Sequence, residues 1–497
     1  MPREKATPGS RLNLYVRYFG GDILTTDGSV LFCKICEKNI NGDKKYFVRQ
    51  HINSASHTKR TTRDDDASKK QVSLLPNFVT RPQKGSEFNM DLCETLVKAD
   101  IPFYKIQNPC FRRFIEKWSK QYFPHESALR KTYLKEVYDG TIRMIRASIG
   151  EGKIWVSVDE TTDSRGLFVV NTVVGKLSAS EPSTAYLLGS EIVERTNHAT
   201  IAQAFCNSLS ILWPEGIKHE RVLLFVTDGA KYMKKAADGL KVLFPNMVYV
   251  TCLAHGIHRV CEEIRKLCPE TDSFIASVKK CFLKAPSRIQ KFRDLAPNLP
   301  LPPSPVVTRW GTWLEAASYL AANYDKIEEI VNSFEKGEAL YIFKSQEMLR
   351  NPALKNQLLF VSANYRNIPD GIRRLECTAQ SLETTCGIVE DIGFCLERAT
   401  GPKAGLIKAK FETVLNKNQG YSTLRDILSA LRGDGEVMAL GNFDLPDLAL
   451  YRYAPMVSVD VERSFSRYKM LLSDRRQSFT PENAMYHIVS LCNNTDE

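Results

Sequence analysis

Ile154-Trp155-Val156-Ser157-Val158-Asp159-Glu160-Thr161-Thr162-Asp163 and Val222-Leu223-Leu224-Phe225-Val226-Thr227-Asp228-Gly229 are the two stretches on which the architecture turns. Each begins as a short apolar run and ends in a carboxylate. Residues 167–176, rich in valine, and 184–193 read as two further strands, joined by turns at Ser164-Arg165-Gly166 and Ser180-Glu181-Pro182. Residues 197–213 have helical spacing, with Ile201, Phe205, Leu209 and Leu212 along one face. The 222–227 run has the composition of a strand buried on both faces. A helix over 231–244, a strand over 247–252 and a helix over 253–267 follow. The order β-β-β-α-β-α-β-α predicts an α/β fold in which an antiparallel meander feeds parallel strands through crossover helices.

That is the strand order expected of a ribonuclease H-like core. Upstream of it, residues 88–149 show helical spacing at Leu92, Leu96 and Ala99, and again at Phe111, Phe114, Ile115 and Trp118. Pro102, Pro109 and Pro124 cut this stretch into short helices. Downstream, the proline-rich run 297–305 is a stiff break, and residues 308 to 450 carry helical spacing with almost no strand signal. Thr480-Pro481 offers an N-cap and a first-turn proline to a last helix over 482–491. At the other end, residues 11–62 form a small unit with aromatic residues Tyr15, Tyr18 and Phe19, a Gly20-Gly21 break and an Asp27-Gly28 turn. The polar, then Gln-, Ser- and Pro-rich stretch that follows reads as a linker.

The 497 residues are 43% hydrophobic and 25% charged, ordinary values that exclude a mostly disordered chain, a collagen-like repeat and a disulfide-dense miniature. No apolar run approaches the ~18 residues of a membrane span, and Met1-Pro2-Arg3-Glu4-Lys5 has no secretory core. Thirteen scattered cysteines point to a reducing compartment with some cysteines as metal ligands. Of the net charge of +11, +8 lies in residues 1–85, where sixteen Lys and Arg face eight Asp and Glu. A basic head on a near-neutral body suits a nucleic-acid-binding module, although a solvated basic tail gives the same charge.

Four constellations can carry chemistry. Cys33 and Cys36, then His51 and His57, have the ligand types and nearly the spacing of a tetrahedral zinc site, with His57 one step further than usual. Lys59-Arg60 extends the basic surface of that unit. Asp159 and Asp228 close neighbouring strands, so both carboxylates emerge at one sheet edge. Joined by a third, they could bind a pair of Mg²⁺ ions and activate a water or a 3′-hydroxyl toward a phosphodiester. Taken singly, each aspartate reads as turn chemistry before it reads as catalytic. The third carboxylate comes from Val459-Asp460-Val461-Glu462-Arg463-Ser464-Phe465-Ser466, where helical geometry allows one acid to face the site and favours Glu462 over Asp460. Cys252, His255 and His258 stand at steps of three with no fourth metal ligand in view. Thr308-Arg309-Trp310 can hold a phosphate and stack a base, or anchor a helix core.

In their order, these stretches resemble the hAT superfamily of DNA transposases. The motifs are a BED-type zinc finger, Val-Ser-Val-Asp-Glu-Thr-Thr-Asp, Val-Thr-Asp-Gly, Cys-Leu-Ala-His, Thr-Arg-Trp and Val-Glu-Arg-Ser-Phe-Ser. Residues 11–135 also resemble the CGG triplet repeat-binding protein family, through 32–36, Ser56-His57-Thr58-Lys59-Arg60 and Ala99-Asp100-Ile101-Pro102. The first resemblance implies that Asp159, Asp228 and Glu462 are a DDE triad holding catalytic Mg²⁺ or Mn²⁺. It implies that Cys33, Cys36, His51 and His57 hold structural Zn²⁺, and that Cys252, His255, Arg309, Trp310, Lys59 and Arg60 meet DNA. Cys252 and His255 would lie beside the scissile phosphate, and Trp310 would receive a displaced base. The implied organisation is a finger (11–62), a linker (63–86), a helical dimerisation and DNA-binding segment (87–150), a first core part (151–296), an all-helical insertion (297–455) and C-terminal core helices with a dimerisation segment (456–497). The implied partners are double-stranded DNA, both transposon ends and target, and a second copy of the chain in a homodimer or larger homo-oligomer. The implied location is the nucleus, with no membrane contact. His258 departs from the family pattern, since relatives often carry an uncharged residue there. A non-catalytic DNA-binding regulator retaining the fold is the alternative, and a stand-alone ribonuclease H-like nuclease a third reading.

Overall fold

A computed structural model describes residues 8–26, 30–36, 38–55, 57–58, 83–306, 311–434, 443–472 and 479–494. The chain divides into two compact units, Met1–Gln83 and Lys84–Glu497. In the first, the helix Pro8–Phe19 precedes an antiparallel sheet of β1 (Leu24–Thr26), β2 (Leu31–Cys33) and β3 (Lys38–Ile40), followed by the helix Lys45–Ile52. Leu12, Leu24, Leu31 and Val48 are buried together with Cys33 and Cys36. This is a core of a few side chains, the size at which small units usually need a staple. The three-residue strands are too short to show alternation in the sequence, which is why only a small folded unit was legible there.

The second unit is built on a mixed five-stranded sheet. Its strands are β4 (Ile154–Thr162), β5 (Phe168–Lys176), β6 (Ala185–Val193), β7 (Val222–Thr227) and β8 (Val248–Thr251), in the order β6-β5-β4-β7-β8. β4, β5 and β6 pair antiparallel, while β4–β7 and β7–β8 are parallel. All six residues of β7 are buried, as its uniformly apolar sequence demands. β4 continues past the expected end at 159 because its pairing with β5 runs on to Thr162↔Phe168. The turn beyond is closed by Asp163, whose Oδ1 accepts from the backbone N–H groups of Arg165 and Leu167. Gly166 there has a φ of 80°, a left-handed conformation that glycine tolerates without strain.

The crossover helix His198–Leu212 starts at Asn197, whose side chain and that of Thr200 form a capping box. The helix Lys231–Leu240 ends before the expected 244. A turn after Leu240 carries Phe244 into the core, where its ring lies 5.2 Å from Phe205. Upstream, Phe111 and Ile115 of the helix Pro109–Ser119 pack partly against the core, but Phe114 and Trp118 of the same apolar series face solvent.

Among the described residues from Gly311 to Arg432 the elements are all helices. The chain regains the sheet before the boundary expected at 455. Lys153 pairs with Asp447, and Tyr451 OH donates to the Leu223 carbonyl at 3.0 Å. These bonds depend on residues hundreds of positions apart and leave no local periodicity. The helix Val459–Leu471 then packs over β4 and β5, and Pro481–Cys492 packs on β6 and on Leu134–Ile149. Thr480 caps that last helix by accepting from Asn483 N. No helix among the described residues is long and apolar enough to cross a membrane.

Candidate functional site

In the N-terminal unit, β2 places Cys33 and the following turn places Cys36, whose N–H lies 3.4 Å from Cys33 Sγ. His51 sits in the last turn of Lys45–Ile52, and the chain turns at Ser54 to return His57. That turn takes up the extra residue of the His51–His57 step. Ligand atoms of Cys33, Cys36, His51 and His57 all lie within 4.8 Å of one another. Burial holds both imidazoles below their usual pKa, with the His57 and Lys38 charges adding to the effect on His51. The neutral imidazole is the form that ligates metal. His51 Nε2 is buried with no hydrogen-bond partner among the described residues. Two thiols, two neutral imidazoles and an orphaned ring nitrogen fit a tetrahedral Zn²⁺ site. Lys59 and Arg60 lie outside the described residues.

The acidic centre follows from strand register. β4 and β7 are parallel with Ser157 opposite Val226, so two residues further on Asp159 and Asp228 stand level and on the same side. Asp159 takes the Glu160 N–H on Oδ1 at 2.8 Å, and Asp228 Oδ1 takes the Ala230 N–H at 3.1 Å. Glu462 arrives on Val459–Leu471, where Ser464 Oγ accepts from Asn171 Nδ2 at 2.7 Å. Asn171 is the residue of β5 opposite Asp159. The start of that helix is tied to the start of Leu253–Leu267, since Leu253 N donates to Met456 O at 2.9 Å and Ser458 N to Cys252 Sγ at 3.3 Å. Glu462 Oε1 then lies 3.6 Å from His255 Nδ1. Asp460 points elsewhere, toward Arg463 at 3.5 Å and a separate cleft lined by Val173, Leu187 and Arg467.

Electrostatics couples these groups. Burial and the Asp228 and Glu160 charges raise the Asp159 carboxyl well above the usual range. Glu160, absent from the sequence-based candidates, belongs to the same cluster. Burial and Asp228 push it up to about 7, Tyr232 OH donates to its Oε1, and its Oε2 is buried without a hydrogen-bond partner among the described residues. Its place beside Asp159 was the one available signal. For His255, burial would lower the pKa, but the hydrogen bond and charge of Cys252, with Glu462 and Asp159, outweigh it and push it up to about 10. The three carboxylates of the expected triad do not all come within 4.8 Å of one another. Asp159 and Glu160, raised first by burial and then by neighbouring carboxylates, with one buried oxygen orphaned, fit a site for divalent cations.

His258 does not join Cys252 and His255: its Nε2 lies 3.7 Å from Glu376 Oε1. Arg309 and Trp310 lie outside the described residues, while nearby Trp313 is buried and donates from Nε1 to Asp272 at 3.0 Å. Beside the acidic centre a cleft opens that no sequence motif announced. A pocket of about 120 Å³ lined by Gly229, His255, Arg259 and Lys410 shares Lys234, Thr251, Lys417 and Asn418 with one of about 640 Å³ that reaches Lys241 and Phe443. Five cations line the pair against one carboxylate, Asp238. Arg259 lies so close over Gly229 that a Cβ there would stand 2.5 Å from its guanidinium.

Residues 124–287 match a family described as a domain of unknown function, DUF659, and residues 3–63 match the CGGBP1 N-terminal domain. The first match spans β4 to β8, and so Asp159 and Asp228, but stops short of Glu462. The chain is also similar to CGG triplet repeat-binding protein 1 of Mus musculus, 30% identical over 138 residues, which is 26% of this chain and 81% of the relative. The Homo sapiens protein of the same name is 30% identical over 140 residues, 27% of this chain and 83% of the relative. Through its N-terminal region, the chain therefore belongs to the family of CGG triplet repeat-binding protein 1.

Proposed function

We propose that this is a nuclear DNA-binding protein of the hAT transposase type, in which the N-terminal unit selects a DNA end and the acidic centre cuts and joins it. The observation that carries the reading is the placement of Asp159 in one strand and Asp228 just past the end of its parallel neighbour, with Glu462 brought from a distant helix to His255. The order β6-β5-β4-β7-β8, three antiparallel strands and then two parallel, supports a ribonuclease H-like core. Asp159, Asp228 and Glu462 would hold Mg²⁺ or Mn²⁺, which supplies activation of a water or 3′-hydroxyl and stabilisation of the leaving oxygen. His255, 3.6 Å from Glu462, offers a ring N–H to a phosphate oxygen. Arg259, Lys234, Lys410 and Lys417 attract the sugar–phosphate backbone to the same edge of the sheet. Cys33, Cys36, His51 and His57 would hold Zn²⁺ that orders the DNA-reading unit. Cleavage with a flank hairpin, strand transfer and assembly into a homodimer or larger homo-oligomer belong to this reading by family resemblance.

A second reading, a non-catalytic DNA-binding regulator, is favoured by one observation. The N-terminal region is shared with a protein named for binding a CGG triplet repeat. One experiment separates the two. The purified chain and Asp159→Asn are incubated with Mg²⁺ or Mn²⁺ and DNA carrying the terminal repeats that flank its own coding region. Cutting with flank hairpins that disappears in the variant supports the transposase. Tight binding without cutting, unchanged by metal and by the variant, leaves the regulator.

A further inference from the structure

The helix Pro109–Ser119 has no buried residue, although Phe111 and Ile115 rest on the core. Its outer face carries two parallel rows. Phe114 and Trp118, four residues apart, are 60% and 69% exposed, and Tyr122 just beyond is 81% exposed. Arg113 and Lys117, also four apart, run beside them. Lys117 Nζ stands 5.0 Å from the Trp118 ring, and the Arg112 guanidinium 5.2 Å from the Tyr122 ring. Neither Arg113 nor Lys117 is in an ion pair among the described residues, whereas Arg112 is satisfied by Glu116 at 2.9 Å. Between Tyr104 and Tyr122 the sequence holds five cations and one carboxylate.

Large aromatic side chains this exposed and this close together mark a binding surface. Charge selects the occupant. A second copy presenting the same face would bring its own cations against Arg113 and Lys117 without neutralising them. A polyanion with flat, stackable groups satisfies both rows at once. Four residues of helix rise about 6 Å, well beyond the roughly 3.4 Å that separates stacked bases along a duplex axis. Bases held at that spacing must be unstacked, and bases inside a duplex are covered by their neighbours. We propose that this face binds single-stranded nucleic acid, with unpaired bases on Phe114, Trp118 and Tyr122 and phosphates on Arg113 and Lys117. This surface goes beyond the cutting centre and the finger, and it stands whether or not the chain cleaves DNA.

The full-length protein is titrated with twenty-nucleotide oligo(dT), oligo(rU) and a mixed-sequence duplex, reading tryptophan emission and anisotropy of end-labelled strands. Trp155, Trp213 and Trp313 are buried, and the titration is run in a Trp310→Phe background, so the quench on adding oligo(dT) should be carried by Trp118 and largely vanish when Trp118→Phe is added. Trp118→Ala should weaken oligo(dT) binding roughly 5- to 150-fold, the range of one lost base–aromatic stack, with Trp118→Tyr largely restoring it. Arg113→Gln with Lys117→Gln should flatten the slope of log K against log salt by about 1.4. Comparable quenching by oligo(rU) widens the ligand to any single strand, and its absence narrows it to DNA; both support the surface. No quench, a quench that survives Trp118→Phe, or a duplex affected as strongly as the single strand would overturn the proposal. So would a change in sedimentation of Trp118→Ala from oligomer to monomer. Asp159→Asn should leave all of these readouts unchanged, which separates failure of this surface from failure of the transposase reading.

Discussion

Gly420→Ala offers a test in which helix propensity and tertiary packing give opposite signs. Gly420 is buried near the start of Gln419–Arg432, the helix that walls the cationic cleft. A methyl group there would fall 2.7 Å from the Tyr249 carbonyl carbon, closer still to its oxygen, and 2.7 Å from Val250 Cγ2. The obstacle is mainly the backbone of β8, which cannot swing aside. Restoring ordinary contact near ~3.5 Å moves the helix back by about 1 Å. Asn418 is tied to β8 by accepting from Thr251 N at 3.1 Å and donating to Thr251 O at 2.7 Å, and a shift of that size breaks both bonds. Overpacking costs ~1–3 kcal/mol and two lost hydrogen bonds about 1 kcal/mol each, offset by ~1 kcal/mol of helix propensity. The net expectation is destabilisation by ~2–4 kcal/mol. Gly387, in Leu382–Glu397, is the control, since nothing lies within 4 Å of a Cβ added there. Gly387→Ala should stabilise by ~0.5–1 kcal/mol. Urea unfolding followed by far-UV circular dichroism measures both, and amide exchange at Thr251 should accelerate in Gly420→Ala alone. If Gly420→Ala is neutral or stabilising, the helix does not seat on β8 as described, and the cleft loses its wall.

Three further outcomes follow from the geometry. Removing metal with a strong chelator, or Cys36→Ser, should unfold the N-terminal unit while the larger unit keeps its thermal transition; retention of protected amides at Leu24, Leu31 and Val48 would contradict a structural zinc. Burial would raise the Asp163 carboxyl, but bonds from Leu167 N and Arg165 outweigh it and hold it below the usual range. A depressed folded-state pKa gives stability that is present above the unfolded value near 3.8 and lost as pH falls through the folded one. Asp163→Ala should therefore cost ~1–3 kcal/mol at pH 7 and progressively less below about pH 4, seen in urea midpoints across pH. Finally, Lys410→Gln with Lys417→Gln should lower the salt slope of duplex binding by about 1.8 if both meet phosphates; an unchanged slope would remove the cleft from the DNA path.

Much of this was readable before the fold was known, where local chemistry suffices. The apolar runs ending in Asp159 and Asp228, the helical spacing of 197–213 and the Thr480-Pro481 start all correspond to elements, because strand and helix periodicity and capping are properties of neighbouring residues. Glu462 could be preferred over Asp460 from helical phase alone. Other features needed distance in sequence to be closed. Glu160 looked like one more polar residue until Asp228 and Tyr232 stood around it. His258 repeated the spacing of a ligand, yet faces Glu376.

The order of strands, the pair of carboxylates and the set of two cysteines and two histidines were thus written in the chain itself, since period, turn chemistry and residue spacing are encoded within a few residues. Tertiary structure alone set the level of Asp159 with Asp228, because register arises between strands. It alone brought Glu462 to His255 and gathered Arg259, Lys234, Lys410 and Lys417 into one cleft. It also left Phe114 and Trp118 facing water, because an amphipathic pattern says which residues share a face but not whether the fold covers it.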